Sequence, residues 1–167
     1  MLDVAVGFDA GGRYDPAGKA GTASLTAGLL AKGVPGLNEA QIAERFAGVG
    51  AERAGGAGDD RASVTLRTLV SGAELESSLS LFERLLAEPV FPADVLDREK
   101  ERVIQSLRES QVRPDAIAQR AWKRLMYPAH PYGQYPTPES VAAIRRDDLL
   151  AFHRDRDGCS REPNGCR

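Results

Sequence analysis

The sequence predicts an α+β domain in which helices cover one face of an antiparallel sheet. Apolar residues alternate with small or polar ones over Leu2–Phe8 and again over Ala62–Val70, which is the period of strands with one buried face. The glycine-rich stretch 49–60 holds a short strand and a turn, so that Ala62–Val70 becomes a hairpin partner of what precedes it. Strands that neighbour each other as hairpins, instead of alternating with helices, favour the antiparallel arrangement.

Two helices are predicted between these strands, after a loop at 9–18 that is rich in Gly, Asp and Pro. The first covers 19–32, and Gly33 before Pro35 predicts a left-handed cap at its end. The second begins at Asn38, with Gln41 at the reciprocal position of a capping box. Its apolar pair is Ile42 and Phe46.

Helices predominate in the second half of the chain. The spacing predicts an amphipathic helix over 74–87, a charged helix from Phe91 to near Pro114, and a better buried helix over 117–125. Shorter helices follow, one capped by Thr137 and one begun by Asp147. The predicted core positions are Leu25, Leu29, Leu75, Leu79, Phe82, Ile117, Trp122 and Leu125.

Composition excludes several classes of function. The chain has 167 residues, 42% of them hydrophobic and 28% charged, as in an ordinary soluble domain. A net charge of -2 argues against nucleic-acid binding, and no apolar run is long enough to span a membrane.

Residues 1–155 are predicted to form one domain, and 156–167 a disordered or non-native tail. Cys159 and Cys166 lie in that tail, and their spacing indicates neither a core disulfide nor a zinc site.

No stretch of the sequence matches a known catalytic or phosphate-binding motif in every required residue. Gly18-Lys19 lacks the first glycine and the hydroxyl residue of a phosphate loop, and Ser24 lacks the flanking glycines of a nucleophile elbow. His130 is best interpreted as a loop histidine packed on aromatic rings. Asp59-Asp60 indicates a solvated turn, and the charged run 98–102 a solvated helix face.

Four phrases occur in an order and spacing that resemble the pitrilysin/insulinase metallopeptidase family. They are Val4 to Gly12 (VAVGFDAGG), Gly21 to Leu30 (GTASLTAGLL), Phe91-Pro92 with Arg98-Glu99, and Tyr127 to Gly133 (YPAHPYG). The resemblance spans about residues 2–152. It implies that residues 1–155 are an insulinase-like N-terminal domain, complete or incomplete, of the half-domain fold shared with processing peptidases.

Active members of that family carry His-x-x-Glu-His on the helix after the first strand, and a third ligand, glutamate, farther on. Aligned on the Gly-Thr-Ala phrase, these positions fall on Ser24, Ala27 and Gly28, with the third ligand near Gln105. A hydroxyl, a methyl, a hydrogen and an amide cannot supply tetrahedral zinc ligands or a general base. The resemblance therefore implies no catalytic residue, no metal ligand and no cofactor in this chain, and leaves its substrate-binding residues unknown.

By the same resemblance the chain is expected to be a non-catalytic subunit that forms a heterodimer with a zinc-bearing subunit of the family and encloses unfolded peptides. Two alternatives stay open: a zinc-dependent metalloendopeptidase that uses unrecognised ligands, and a truncated product without activity. The resemblance favours a soluble periplasmic protein, with the cytoplasm as the alternative.

Overall fold

The computed structural model describes residues 1–70 and 72–157. Along the chain the strands and helices are β1 (Leu2–Phe8), α1 (Thr22–Leu29), β2 (Gly33–Val34), β3 (Leu37–Asn38), α2 (Glu39–Gly48), β4 (Glu52–Ala57), β5 (Ala62–Thr68), α3 (Gly72–Ala87), α4 (Ala93–Ser110), α5 (Pro114–Met126), α6 (Pro138–Ala143) and α7 (Arg146–Phe152). Short turns of 3-10 helix lie at Gly12–Tyr14 and Pro131–Gly133, and a π-helical turn at His153–Asp157 ends the described chain.

The main sheet has three antiparallel strands in the order β1, β5, β4. Leu2 lies opposite Thr68 and Phe8 opposite Ala62, while Glu52 on the other side of β5 lies opposite Arg67. Residues of β5 alternate strictly between buried and exposed, so one face of the sheet is covered. The predicted α+β class and both predicted strands are therefore confirmed.

A hydrophobic core lies between that covered face and the helices. It combines Leu25 and Leu29 of α1, Val64 and Leu66 of β5, and Phe82 of α3 with other apolar side chains from α2, α4, α6 and α7. The predicted core positions Leu25, Leu29 and Phe82 are confirmed. Leu75 is half-buried, and Leu79 is wrong as a core position because it lies at the exposed margin of α3.

The start and end of the first helix differ from the prediction. Gly21 has a φ of 106°, so regular helix begins only at Thr22. Gly33 is not a left-handed cap; it belongs to β2, and the positive φ occurs at Gly36, in the turn between β2 and β3. A Cβ atom at Gly33 would lie 2.9 Å from side-chain carbons of Val90 and Pro92. Close packing explains this glycine better than helix termination does.

The helix predicted over 117–125 is present as α5, but the prediction that it is better buried than the preceding helix is wrong. α5 buries no residue, and Ile117, Trp122 and Leu125 are 50%, 61% and 79% exposed. The predicted apolar residues do lie on one side of α5, but that side faces away from the domain. Its half-buried positions are Ala116, Arg120 and Lys123.

The predicted helix caps are confirmed where the capping side chain lies within three residues of its partner. Asn38 and Gln41 form the expected reciprocal capping box at α2, and Thr137 pairs with Ser140 in the same way at α6. At α7 the acceptor is Asp148, not Asp147, because its carboxylate receives the backbone N–H of Arg145 at 2.8 Å.

Among the described residues no helix has the length and apolarity to cross a bilayer. Residues 158–167, with Cys159 and Cys166, lie outside the described residues, whereas 156 and 157 belong to the final helical turn.

His153 joins the end of α7 to α3. Its Nε2–H donates to the Leu86 carbonyl oxygen at 2.8 Å, and its ring meets the ring of Phe91 edge-on at 6.1 Å. Burial lowers the pKa of His153 below the ordinary value of 6.5, because the neutral ring is favoured in the interior.

This burial predicts a pH-dependent stability. In the unfolded chain His153 takes up a proton as pH falls through about 6.5, while the folded chain resists protonation until lower pH. The free energy of unfolding should therefore be fully retained above that pH and fall below it, as measured by urea titration at several pH values. His153→Gln should remove this slope, and His130→Gln, at the other, exposed histidine, is the matched control. An equal slope in wild type and His153→Gln would contradict the prediction.

Candidate functional site

A groove of about 610 Å³ runs between α1 and α4. Its floor and walls are mainly apolar, and its charged groups come from one end of α1 and from α4. The lining residues are Gly21, Ser24, Leu25, Gly28, Leu29, Lys32, Glu99, Arg102, Val103, Leu107 and Pro136.

The position of α1 is fixed by an aspartate from the preceding loop. The Asp15 carboxylate accepts the backbone N–H of Gly21 at 2.6 Å and that of Ala23 at 2.8 Å. Two N–H groups of the first turn, which have no partner within the helix, are thereby satisfied. Residue-by-residue analysis missed this cap because Asp15 lies six residues before Gly21 instead of directly before the helix.

The two sides of α1 differ in chemistry. Ser24 and Gly28 are exposed and face the groove, one turn apart. An added Cβ at Gly28 would meet open space. Ala27 points elsewhere: it is 6% exposed and packs in a second apolar cluster. The other buried members of that cluster are Ala10, Ala23, Ala62 and Phe152.

Glu99 of α4 is the least exposed charged side chain among the ion pairs, at 14%. Its carboxylate accepts from Arg102 Nε at 2.8 Å and lies 4.0 Å from Lys32 Nζ, so it connects α4 to the segment after α1. The prediction of a solvated face at 98–102 is therefore wrong for Glu99, although it holds for the exposed Arg98 and Arg102.

Glu39 at the start of α2 extends this ion-pair network. It pairs with Lys32 Nζ and with Arg98 Nη2, the latter at 2.6 Å. Hydrogen bonds from these two cations hold the pKa of the Glu39 carboxyl below its ordinary value. Lys32 and Arg98 also lie within 4.0 Å of Glu99, so two cations bridge two carboxylates along the groove.

The residues that face the groove do not fit a zinc ion. They offer one carboxylate, already bound to cations, and one hydroxyl, whereas zinc sites in proteins use three or four His, Cys or carboxylate ligands. Throughout residues 1–70 and 72–157 no three such side chains come together. Water activation on a metal held by these groups cannot be derived from this arrangement.

Gln105 does not contribute to the groove. Its side chain is exposed, and its Nε2 donates to Glu109 on the same helix at 2.9 Å. α4 lines the groove with Glu99, Arg102, Val103 and Leu107, so Gln105 itself does not face Ser24 and Gly28, and the placement of the third ligand position near it stays a prediction.

The other candidate residues have structural roles. His130 packs on Tyr132, with ring centroids 4.4 Å apart, which confirms the interpretation as a loop histidine on aromatic rings. Asp59 and Asp60 lie in the exposed β4–β5 turn, as predicted, but both are paired. Asp59 binds Lys123 of α5 at 2.8 Å, and Asp60 binds Arg13 at 3.1 Å and the hydroxyl of Tyr132.

Comparison with known proteins identifies similar sequences and structures. The family model described as insulinase (peptidase family M16) matches residues 2–135. A search of curated protein sequences found no match. A crystal structure described as the inactive domain of a peptidase M16 from Pseudomonas fluorescens is 33% identical, with a TM-score of 0.87 over 90% of this chain and 37% of that one.

Two further structures share the fold at lower identity. A protease from Helicobacter pylori is 22% identical, with a TM-score of 0.76 over 90% of this chain and 37% of its own. Pitrilysin is 18% identical, with a TM-score of 0.77 over 93% of this chain and 17% of its own. The described chain thus spans well under half the length of the solved proteins that it resembles.

The Asp15 cap predicts a specific loss of stability. Asp15→Ala leaves two N–H groups at the start of α1 without an acceptor and should lower the free energy of unfolding by about 1 kcal/mol. Chemical denaturation followed by circular dichroism measures this change. Asp155→Ala, which removes an exposed aspartate paired only with its neighbour Arg154, is the matched control and should cost less. Equal losses would show that Asp15 does not cap α1.

The groove geometry also predicts how a metal site could be built. Ser24→His with Gly28→His places two imidazoles one turn apart on the groove side of α1. The Glu99 carboxylate lines the same groove, so the three groups together make up a His₂Glu ligand set. This double variant should bind about one zinc ion per chain after dialysis, measured by metal analysis, whereas wild type should retain none.

Adding Glu99→Gln to the double variant should abolish the binding, while adding Gln105→Glu should leave it unchanged. Ala27→Glu is omitted because it would bury a carboxylate among apolar side chains. One tightly held zinc ion in the wild-type chain, or zinc binding that depends on Gln105→Glu, would contradict this account of the groove.

Proposed function

Since the chain belongs to the insulinase family, peptidase family M16, we propose that it is a non-catalytic member that works together with a zinc-bearing one. The family and the half-domain fold, with helices on an antiparallel sheet, are the ones that the sequence predicted. The catalytic partner, the enclosed chamber and the peptide substrate belong to the proposal.

One observation carries the proposal: a groove lies between α1 and α4, but the α1 residues that face it cannot bind zinc or activate water. Ser24 and Gly28 line it at the spacing of a helical ligand pair, and neither can bind zinc. A hydrophobic core that includes Leu25 and Leu29 of the same helix is nevertheless complete around it. Such a chain can support a binding surface without doing chemistry.

The similarity to the Pseudomonas fluorescens inactive domain supports this proposal. It is 33% identical to this chain, and its description names an inactive domain. Because the present chain spans 37% of that protein, we assign the proposed role to the domain and not to a whole enzyme.

In the proposed complex the zinc-bearing subunit cleaves the peptide, and this chain supplies part of the chamber wall. The half-buried apolar side chains of Val103 and Leu107 would contact an unfolded peptide segment over a floor formed by the buried Leu25 and Leu29, and the ion pairs of Glu99 would close one end of the groove. Unfolded peptides expose apolar side chains, which such a wall can bind without recognising a sequence.

The test is reconstitution with a zinc-bearing member encoded by the same organism, followed with an internally quenched peptide. The full chain should bind that subunit and raise cleavage several-fold above the subunit alone. Ser24→Trp, which fills the groove without touching the core, should still bind the partner but lose most of the stimulation. Ala43→Trp, on the exposed side of α2, is the matched control and should stimulate like wild type.

Other outcomes separate the alternatives. Cleavage by the chain alone after zinc is added, without a partner, would identify a directly active metallopeptidase and overturn the proposal. Failure to bind the partner, or binding without any change in cleavage, would favour a truncated product without activity.

A further inference from the structure

The charged side chains that line the groove between α1 and α4 carry a net positive charge. Lys32 and Arg102 lie there with a single carboxylate, that of Glu99. The other lining residues are uncharged, and apart from the hydroxyl of Ser24 they present apolar groups. The groove is therefore cationic, although the whole chain has a net charge of -2.

The ion pairs next to the lining do not cancel this excess. Arg98 pairs with Glu39 at 2.6 Å and is attracted to Asp94, while Arg53 of β4 is attracted to Glu39. Because these two cations and two carboxylates balance each other, the excess of one positive charge in the lining remains.

Arg102 is a lining cation with unused hydrogen-bond donors. Its Nε–H donates to the Glu99 carboxylate at 2.8 Å, whereas Nη1 and Nη2 donate to no acceptor among residues 1–70 and 72–157. The Arg102 side chain is 73% exposed, while that of Glu99 is 14% exposed and lies 4.0 Å from Lys32 Nζ. The guanidinium is thus anchored at one nitrogen, and its other two nitrogens can bind a carboxylate in the bidentate manner typical of arginine.

The groove has the dimensions of a short extended peptide segment. α1 has eight residues and is therefore about 12 Å long. An extended chain advances about 3.3 Å per residue, so about four residues fit along the helix. The volume of about 610 Å³ lies within the range of ligand-binding sites in proteins.

We propose that the groove selects extended peptide segments in which an acidic side chain accompanies apolar ones, with the carboxylate bound by Nη1 and Nη2 of Arg102. This inference rests on the proposed function, because it names the class of peptide for the same groove. Apolar contacts with Val103 and Leu107 attract many sequences, and Arg102 adds the preference for negative charge. A basic side chain would be repelled by the net positive lining.

The test measures binding directly on the full chain, without a catalytic subunit, by fluorescence anisotropy of labelled peptides. Three short peptides with blocked termini share the same leucine and valine residues and carry Glu, Gln or Lys at one central position. The Glu peptide should bind about five-fold more tightly than the Gln peptide, the scale of an exposed charge-assisted pair, and the Lys peptide should bind most weakly. The advantage of Glu over Gln should shrink as salt is raised.

Variants assign the preference to Arg102 and the site to the groove. Arg102→Gln should make the Glu and Gln peptides bind equally, and Arg102→Glu should make the Lys peptide bind best. Arg108→Gln removes an exposed arginine of the same helix outside the groove lining, so it is the matched control and should keep the difference. Ser24→Trp should weaken binding of every peptide because the indole fills the groove.

Several results would overturn the proposal. Equal affinity for the three peptides, no measurable binding of any of them, or a preference for Glu that survives Arg102→Gln would each do so. Tight binding of a Gln peptide with a free carboxyl terminus, equal to that of the blocked Glu peptide, would show that the groove binds a chain end instead. Binding that is unaffected by Ser24→Trp would place the peptide elsewhere on the surface.

These outcomes are separate from those of the reconstitution experiment. Peptide preference is read from the affinity of the isolated chain, whereas the partnership is read from association with the zinc-bearing subunit and from cleavage. A chain without the preference for Glu can still bind and stimulate that subunit, so failure of this inference and failure of the proposed function are distinguishable.

Discussion

Burial of α1 against the sheet is the interaction on which the rest of the structure depends. Leu25 and Leu29 join the main core, while Ala23 and Ala27 join the second cluster with Ala62 and Phe152, so this one helix connects β5 to α7. The Asp15 cap and the left-handed Gly21 fix where the helix starts. Because three of its sides are packed, its remaining side, with Ser24 and Gly28, has to face the groove.

This arrangement explains how the proposed loss of a working site would leave the scaffold intact. The residues that fold the domain point inward and those that would do chemistry point into the groove, so changes at Ser24 and Gly28 leave the core untouched. Glycine inside a helix costs about 0.5–1 kcal/mol relative to alanine, which a helix with two packed clusters can tolerate. The ion pair of Glu99 with Lys32, at 4.0 Å, connects α4 to the segment after α1 across the end of the groove.

Sequence analysis succeeded where short-range patterns decide the structure. Alternation in 2–8 and 62–68 predicted the strands, and Asn38 with Gln41 predicted a cap, because each pattern acts between near neighbours. It failed for Asp15, whose partners lie in another element, and for Gly33, whose neighbours Val90 and Pro92 are far along the chain. It also failed for α5, since periodicity shows that a helix has an apolar face but not what that face meets. The family resemblance identified Ser24 and Gly28 as groove positions that cannot bind a metal. The role of Glu99 in lining the groove became visible only in the structure.

The central proposal is that the groove between α1 and α4 occupies the place of a metal site whose ligands this chain lacks. Its most direct test is a crystal structure of the variant Ser24→His/Gly28→His grown with zinc, with diffraction recorded on both sides of the zinc absorption edge. We expect one anomalous peak in the groove, bound by both new histidines and by a Glu99 carboxylate that has left Arg102. A peak elsewhere on the protein, or histidines that point away from each other and from Glu99, would contradict it.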